Sequence, residues 1–548
     1  MIAKHLMFSL VSALAFAGAG HAATEANRMV EFRFESAKVY PDPFNEVSVD
    51  AVFTDPAGTQ RRVPAFWAGG QTWKVRYSSR IIGNHRFQTD CSDPTNASLH
   101  GVRGDVTITA YTGKNALLLH GAPRVAEDRR HFAHADGTPF FWLGDTWWMG
   151  LVKRLRWPDD FQQLTADRRD KGFSVIQIVA GLYPDMPAFD DRGLGDNGMP
   201  WEKRYARIRP EYFDEADKRI AHLVEQGLVP CILGTWGYHL AWLGKEKMKQ
   251  HWRYLIARWG ALPVVWTAAG EQAMPWYVSG NKDAETEQLR REWTEVIRHI
   301  RDNNALGRMV TTHPRSNARD EVYDPALLDF EMQQTGHGQP TERHAAKALV
   351  GWNRSPMMPV ISGESRYEAL EINPPLTTRD AREAFWAHLL NSGVAGHAYG
   401  VNGVWQVNLP DLRFGKSPGG NDWGGTPWRV AMGLPGSTQL SRAKRFLQTL
   451  PWHTMAPAPN LVDGAVSVAV SKDNRYTLAY SVGGKTLTVD SAKVRGPVQG
   501  KWFDPTNGDL RPIAASASRE FVPPGKNSAG DGDWVLLLDA GNGAGVQR

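Results

Sequence analysis

PFFWLGD (139–145), FSVIQIV (173–179), LVPCILG (228–234) and PVVWTAAG (263–270) are short apolar runs, each followed by a longer charged segment. Four more runs continue the pattern: GRMVTTH (307–313), LLDFEM (327–332), MPVISGE (358–364) and GVAGHAYG (393–400). Helical periodicity fills the gaps over 158–171, 210–226, 245–259, 283–300, 340–350 and 378–391. Apolar runs without alternation read as strands buried on both faces, and strand–helix alternation joins such strands into a parallel sheet. Eight units predict a closed (β/α)8 TIM barrel over 121–455. The competing architecture is an open doubly wound sheet, which needs fewer strands and often carries a glycine-rich phosphate loop. Neither a Rossmann fingerprint nor a P-loop is present.

On either side of this region the period changes. Residues 24–120 alternate apolar and polar in bursts such as VEFRFES, VSVDAVF and WKVRYS, separated by turn residues, and predict an antiparallel β-sandwich. Residues 456–548, with AVSVAVS, YTLAYSV and DWVLLLD, predict a second one, in which Asn507-Gly508 marks a turn. Gly121, Pro123 and the charged run Glu127–Arg130 read as a linker, with His131 and His134 as surface positions. Residues 1–23 join Lys4 to an apolar run and a series of small residues, the pattern of a signal peptide cleaved after Ala22 or Ala23. The expectation is an exported protein, periplasmic or extracellular. The rival reading, a membrane anchor, needs a longer apolar run.

The 548 residues hold 63 Lys and Arg against 58 Asp and Glu, intermixed along the chain, without the basic patch of a nucleic-acid binder. Cys91 and Cys231 are too few for a cysteine-built metal site and allow at most one bridge. The 22 tryptophans exceed what packing alone leads one to expect. No feature predicts a cofactor, and oligomeric state is not legible.

In a barrel, chemistry gathers at the C-terminal ends of the strands. The first run ends in Asp145, with Trp147 and Trp148 beyond it, and the third leads to Trp236, Tyr238 and His239. The fourth ends at Glu271, with Trp276 and Tyr277 after it, and the fifth at His313. The sixth carries Glu331, Gln333 and Gln334, the seventh ends in Glu364 and Arg366, and the eighth brings Tyr399 and, further on, Trp405. Carboxylates among indoles suit a sugar site, because acetal cleavage needs one carboxyl to protonate the departing oxygen and another to attack or stabilise the anomeric carbon. Glu271 and Glu364 are the candidate pair, on runs four and seven across the barrel mouth. The bland reading makes either one a loop-end carboxylate paired with arginine. A metal set of Asp145, His239 and His313 has nonspecific spacing, no HExxH is present, and Ser362 or Ser365 lacks a G-x-S-x-G elbow.

FFWLGDTWW (140–148), KGFSVIQ (171–177), AAGE (268–271) and PVISGE (359–364) resemble the apiosidase-like glycoside hydrolases. The segments YPDPFNEVSVDAVF (40–53), VPAFWAGGQTWKVRYS (63–78) and GNHRF (83–87) are similar to the uncharacterised sandwich that commonly precedes them. KWFDPTNGDL (501–510), FVPPG (521–525) and DWVLLLD (533–539) are similar to a collagen-binding-type module. The resemblance implies double displacement on a plant, algal or bacterial polysaccharide or derived oligosaccharide, with Glu271 as acid/base and Glu364 as nucleophile. It implies hydroxyl binding by Asp145. Gly270-Glu271 stands where the wider clan has Asn-Glu. The expected sugar-binding set is Asp145, Trp147, Trp148, Trp236, Tyr238, His239, Trp276, His313, Glu331, Gln333, Arg366, Tyr399 and Trp405, with His313 and Tyr399 disposed to position Glu364. Rival functions are a noncatalytic carbohydrate-binding protein and, with less support, a collagen-binding or peptidase-associated protein.

Overall fold

A computed structural model of the protein describes residues 21–490, 499–514 and 519–541. Most of the expected signal peptide therefore lies outside the described residues, and its last residues, His21 to Ala23, lie in a strand, His21–Glu25.

Eight parallel strands form the central barrel: β1 Trp142–Trp147, β2 Val175–Val179, β3 Val229–Leu233, β4 Val265–Thr267, β5 Val310–Thr311, β6 Glu331–Gln334, β7 Val360–Glu364 and β8 Gly396–Tyr399. Each pairs with its sequence neighbour and β1 closes on β8, leaving a single break between β5 and β6. At that break Asp329 substitutes for the ladder: its N–H donates to Val310 O (2.8 Å) and its Oδ2 accepts from Val310 N (2.7 Å).

The longer helices are α1 Asp159–Asp170, α2 Pro210–Glu225, α3 Lys245–Trp259, α4 Lys282–Asn303, α5 Thr341–Asn353, α6 Thr378–Asn391 and α7 Pro435–Leu447. Proline stands at the start of α2, and Thr377 and Asp380 cap α6 reciprocally, so local chemistry marks both boundaries. The fifth unit departs from the pattern. Between β5 and β6 only two 3-10 turns form, Ala318–Asp320 and Pro325–Leu327, because Pro314, Pro325 and the intervening Asn and Asp residues interrupt any helical apolar stripe.

The stretch expected to be a linker is a three-stranded meander, Pro123–Val125, Phe132–His134 and Pro139–Phe140. Its Phe132 packs against Trp142 at the start of β1 and Phe330 before β6, with centroids 5.3 and 5.2 Å away, which fills the N-terminal end of the barrel. His131 and His134 are accordingly buried, not surface positions. His134 Nδ1 lies 2.7 Å from Gly121 O, and His131 packs edge-on against Trp452.

The chain divides into two compact units. The first gathers the described residues up to Gly113 with 253–262 and 303–306. Its sandwich has a five-stranded sheet ordered 21–25, 103–109, 83–91, 49–54, 60–64 and a three-stranded sheet ordered 30–35, 72–77, 66–67. All pairs are antiparallel except 21–25 with 103–109. Phe53 and Tyr77 stack between the sheets at 3.9 Å. The second unit holds the barrel and the C-terminal sandwich, whose antiparallel sheets of six and three strands enclose Val468, Leu487, Trp502, Phe521, Trp534 and Leu536. Arg382 of α6 reaches this sandwich, donating to Asp533 (2.6 and 2.8 Å) and Asp531 (2.8 Å). Cys91 and Cys231 are both free and buried. Among the described residues, no helix is long and apolar enough to cross a membrane.

Candidate active site

Glu364 is the last residue of β7, and Glu271 follows β4 in a left-handed conformation (φ 40°). Both line a cavity of about 320 Å³ at the C-terminal mouth of the barrel. Gln334, the last residue of β6, joins them: its Nε2 donates to Glu271 Oε1 and to Glu364 Oε1, each at 3.0 Å. Two oxygens that share one nitrogen at that distance stand no more than 6.0 Å apart.

The two carboxyls are driven in opposite directions. Desolvation and the neighbouring charge of Glu364 push Glu271 up to about 7, against the hydrogen bond from Gln334. Burial alone raises Glu364 as well, but the imidazoles of His313 and His337 overturn this and hold it well below the usual carboxylate range. His337 Nε2 stands 3.0 Å from Glu364 Oε1 and His313 Nε2 3.3 Å from Oε2. His337 Nδ1 lies 2.6 Å from Ser365 O, and a carbonyl only accepts, so Nδ1 carries a proton. Nε2 then donates to Glu364 only as imidazolium. The pKa of His337 is raised accordingly: burial works against the charge, and Glu364 outweighs it.

Aromatic side chains wall the cavity. Trp148, just beyond β1, packs edge-on against Trp236 and His313, with centroids at 5.6 and 5.3 Å. The Trp236 ring lies on Gly270, where an added Cβ would stand 2.1 Å from it, so the side chain of an asparagine before Glu271 has no room. The ring of Tyr367 similarly occupies the space over Gly400, 2.2 Å from a would-be Cβ. Trp405 and Trp423 complete the wall.

Glu271, Glu364, Trp148, Trp236 and Trp405 thus line the cavity as expected, and His313 touches Glu364 from behind. The other expected sugar contacts are elsewhere. Asp145 is fully buried, its Oδ2 accepting from Arg168 Nε (2.6 Å) and Trp147 Nε1 (2.7 Å). Trp147 packs edge-on against Phe161 of α1. Both face the helices because residues two apart share a face of the strand. Glu331, at the opposite end of β6, is buried against Arg319, and Gln333 bonds to Asn317, the Lys347 carbonyl and His388. One position separates Gln333 from Gln334 and places them on opposite faces, aided by a register shift between them. Arg366 donates to Gln339 O and Thr341 Oγ1. Tyr399 donates to Glu368, not to Glu364, and Tyr367 is the tyrosine beside Glu364. Trp276 packs against Tyr238 and Trp242 behind the cavity wall. Tyr238 and His239 contact backbone: the Tyr238 hydroxyl donates to Tyr183 O and Met186 O, and His239 Nε2 lies 3.0 Å from Tyr183 O. The tryptophan excess also has a mainly structural origin, since seventeen of the 22 are buried, Trp142, Trp252 and Trp293 among them, and four line the cavity.

Asp185, His337, Tyr367 and Trp423 enter the cavity from loops that strand-end reasoning did not reach, and Gln334 stood on β6 without an assigned role. Only Gln334 had a sequence signal, the alternation along β6. Among the described residues no cluster of three or more His, Cys, Asp or Glu is placed to hold a metal ion.

Residues 24–92 match a domain of unknown function, DUF5060, and residues 458–539 match a collagen-binding-type module. No protein of curated function matches the sequence. A solved structure described as a glycoside hydrolase is similar over 78% of this chain and 98% of its own, at 23% identity and a TM-score of 0.63. A family 5 glycoside hydrolase from Bacteroides vulgatus ATCC 8482 covers 78% of this chain and 95% of its own, at 22% identity and 0.63. A further protein from that organism covers 94% of this chain and 99% of its own, at 16% identity and 0.68. At these identities the likeness concerns the fold. The profile of the apiosidase-like catalytic domain matches residues 126–454, more than half of the chain and the whole of the cavity, and the protein belongs to the apiosidase-like family.

Proposed function

We propose that the chain is a retaining glycoside hydrolase in which Glu364 is the nucleophile and Glu271 the acid/base. The observation that carries this reading is the shared amide of Gln334, which keeps the facing carboxylate oxygens within 6.0 Å. Retaining enzymes hold their carboxyls about 5–5.5 Å apart, whereas inverting ones leave about 6.5–9.5 Å for a water. The charge states match the roles. Glu364, kept ionised by two histidines, attacks the anomeric carbon as the bond to the leaving oxygen breaks, and protonated Glu271 gives that oxygen its proton. Glu271, now ionised, takes a proton from water, whose oxygen displaces Glu364 and frees the sugar with its configuration retained. The signal-like segment at 1–23 supports export to the periplasm or beyond, where plant, algal or bacterial glycans are met.

The test is a screen of purified protein against aryl glycosides and such glycans, with proton NMR of the first anomer released. Turnover giving the retained anomer is expected. An inverted first product refutes double displacement, and glycan binding without turnover supports the noncatalytic rival.

A further inference from the structure

Asp185 stands on the cavity wall although neither step of double displacement needs a third carboxyl. It follows β2 in the segment GLYPDMP (181–187) and holds a left-handed backbone (φ 58°), which aspartate tolerates better than most residues. The loop is fastened on both sides of it. Tyr238 binds the Tyr183 and Met186 carbonyls at 2.9 and 3.1 Å, and His239 reinforces the first. The Tyr277 hydroxyl donates to Asp185 Oδ1 at 2.7 Å and the Trp423 indole also bonds the carboxylate, which fixes it and leaves it further lone pairs.

Around this carboxylate the cavity has polar atoms with nothing to bind. The indole Nε1 atoms of Trp236 and Trp405 are buried without a hydrogen-bond partner among the described residues, and so is Oε1 of Gln334. Buried donors left unmade are uncommon in native proteins. Sugar hydroxyls, which both donate and accept, would satisfy the indoles and at the same time donate to Asp185. Charge narrows the choice. Among the described residues lining the cavity there is no lysine or arginine, and its one cationic group, His337, is engaged by Glu364. A uronate or sulfate on the bound sugar would meet three carboxyl groups and no available positive partner.

We propose that Asp185 is the specificity residue of this cavity, reading hydroxyls of an uncharged glycosyl unit, and that the site rejects uronic acids and sulfated sugars. This rests on the hydrolase reading above.

The full-length protein is assayed on aryl glycosides of neutral pentoses and hexoses, paired where possible with the C6 carboxylate counterpart. Calorimetry with the corresponding free sugars runs alongside. At least one neutral glycoside is turned over, and uronides react at least about 100-fold more slowly. Asp185→Ala lowers kcat/KM on that substrate by about 10–100-fold with its thermal midpoint preserved, and Asp185→Asn serves if the alanine variant does not fold. A deoxy analogue lacking the hydroxyl that Asp185 reads loses rate with the wild type but little further with Asp185→Ala. Preference for a uronide, or an Asp185→Ala variant within threefold of wild type, overturns the proposal and leaves the hydrolase reading intact. Neutral sugars bound through Asp185 without turnover sink the hydrolase reading alone, and neither turnover nor binding sinks both.

Discussion

Strands β1 and β7 both present glycine followed by a carboxylate, Gly144-Asp145 and Gly363-Glu364, and the two acids have opposite fates. Asp145 has two strand residues after it, so it lies about 6.6 Å below the rim, on the face turned toward α1. There the buried guanidinium of Arg168 meets it. Glu364 is the last residue of its strand and faces the cavity, where Gln334, His313 and His337 surround it. A carboxylate near a strand end becomes a stabilising ion or a reactive group according to its depth, its face and which cation approaches it.

The largest expected effect separates these two fates. Glu364→Ala abolishes turnover while thermal unfolding stays near wild type. Asp145→Ala strands the buried Arg168 charge and costs about 3–5 kcal/mol of stability, read as a clear fall in thermal midpoint. An Asp145→Ala protein of native stability would erase the contrast.

Next in size is the acid/base residue. Glu271→Gln lowers kcat/KM on substrates with poor leaving groups by about 10²–10⁴-fold. In the wild type, Glu271 must be protonated to act as acid, so activity falls as pH rises through its value of about 7. Glu364 must be ionised, and its depressed pKa places the acid limb below the ordinary carboxylate range. Loss of the alkaline limb in Glu271→Gln, read from a pH–rate profile, checks the assignment.

The smallest effect contrasts adjacent glutamines. Gln334→Ala removes the donor shared by both carboxylates and lowers kcat by about tenfold with little change in stability. Gln333→Ala, which unties β6 from α5 and α6, lowers stability by about 1–3 kcal/mol and leaves kcat nearly unchanged. If both act on kcat alone, the opposite-face placement is wrong.

The barrel was legible because its apolar runs and amphipathic segments repeat locally. Helices α3 and α6 run over the ranges their periodicity predicts, 245–259 and 378–391. The fifth of the eight expected units lacks its helix, because proline and polar residues replace it. The site was only partly legible. Glu364 ends its strand and Glu271 lies in the loop shortly after Thr267, and length and composition reveal where such strands stop. Asp145, Gln333 and Tyr399 were misplaced because strand boundaries shifted by one or two residues, and a single residue reverses the face. The indoles misled in another way: bulk and apolarity suit a core as well as a sugar platform, and only the surroundings distinguish Trp252 from Trp236.

By itself the sequence determined the alternation of strand and helix, the flanking sandwiches and the two glutamates at or shortly after strand ends, since these follow from nearest-neighbour periodicity and terminators. Tertiary structure alone decided which carboxylate pairs with Arg168, which glutamine bridges the acids, and that loop residues as distant as Asp185, His337 and Trp423 share one cavity. Those outcomes depend on the closure of the barrel, which brings together groups that no local pattern relates.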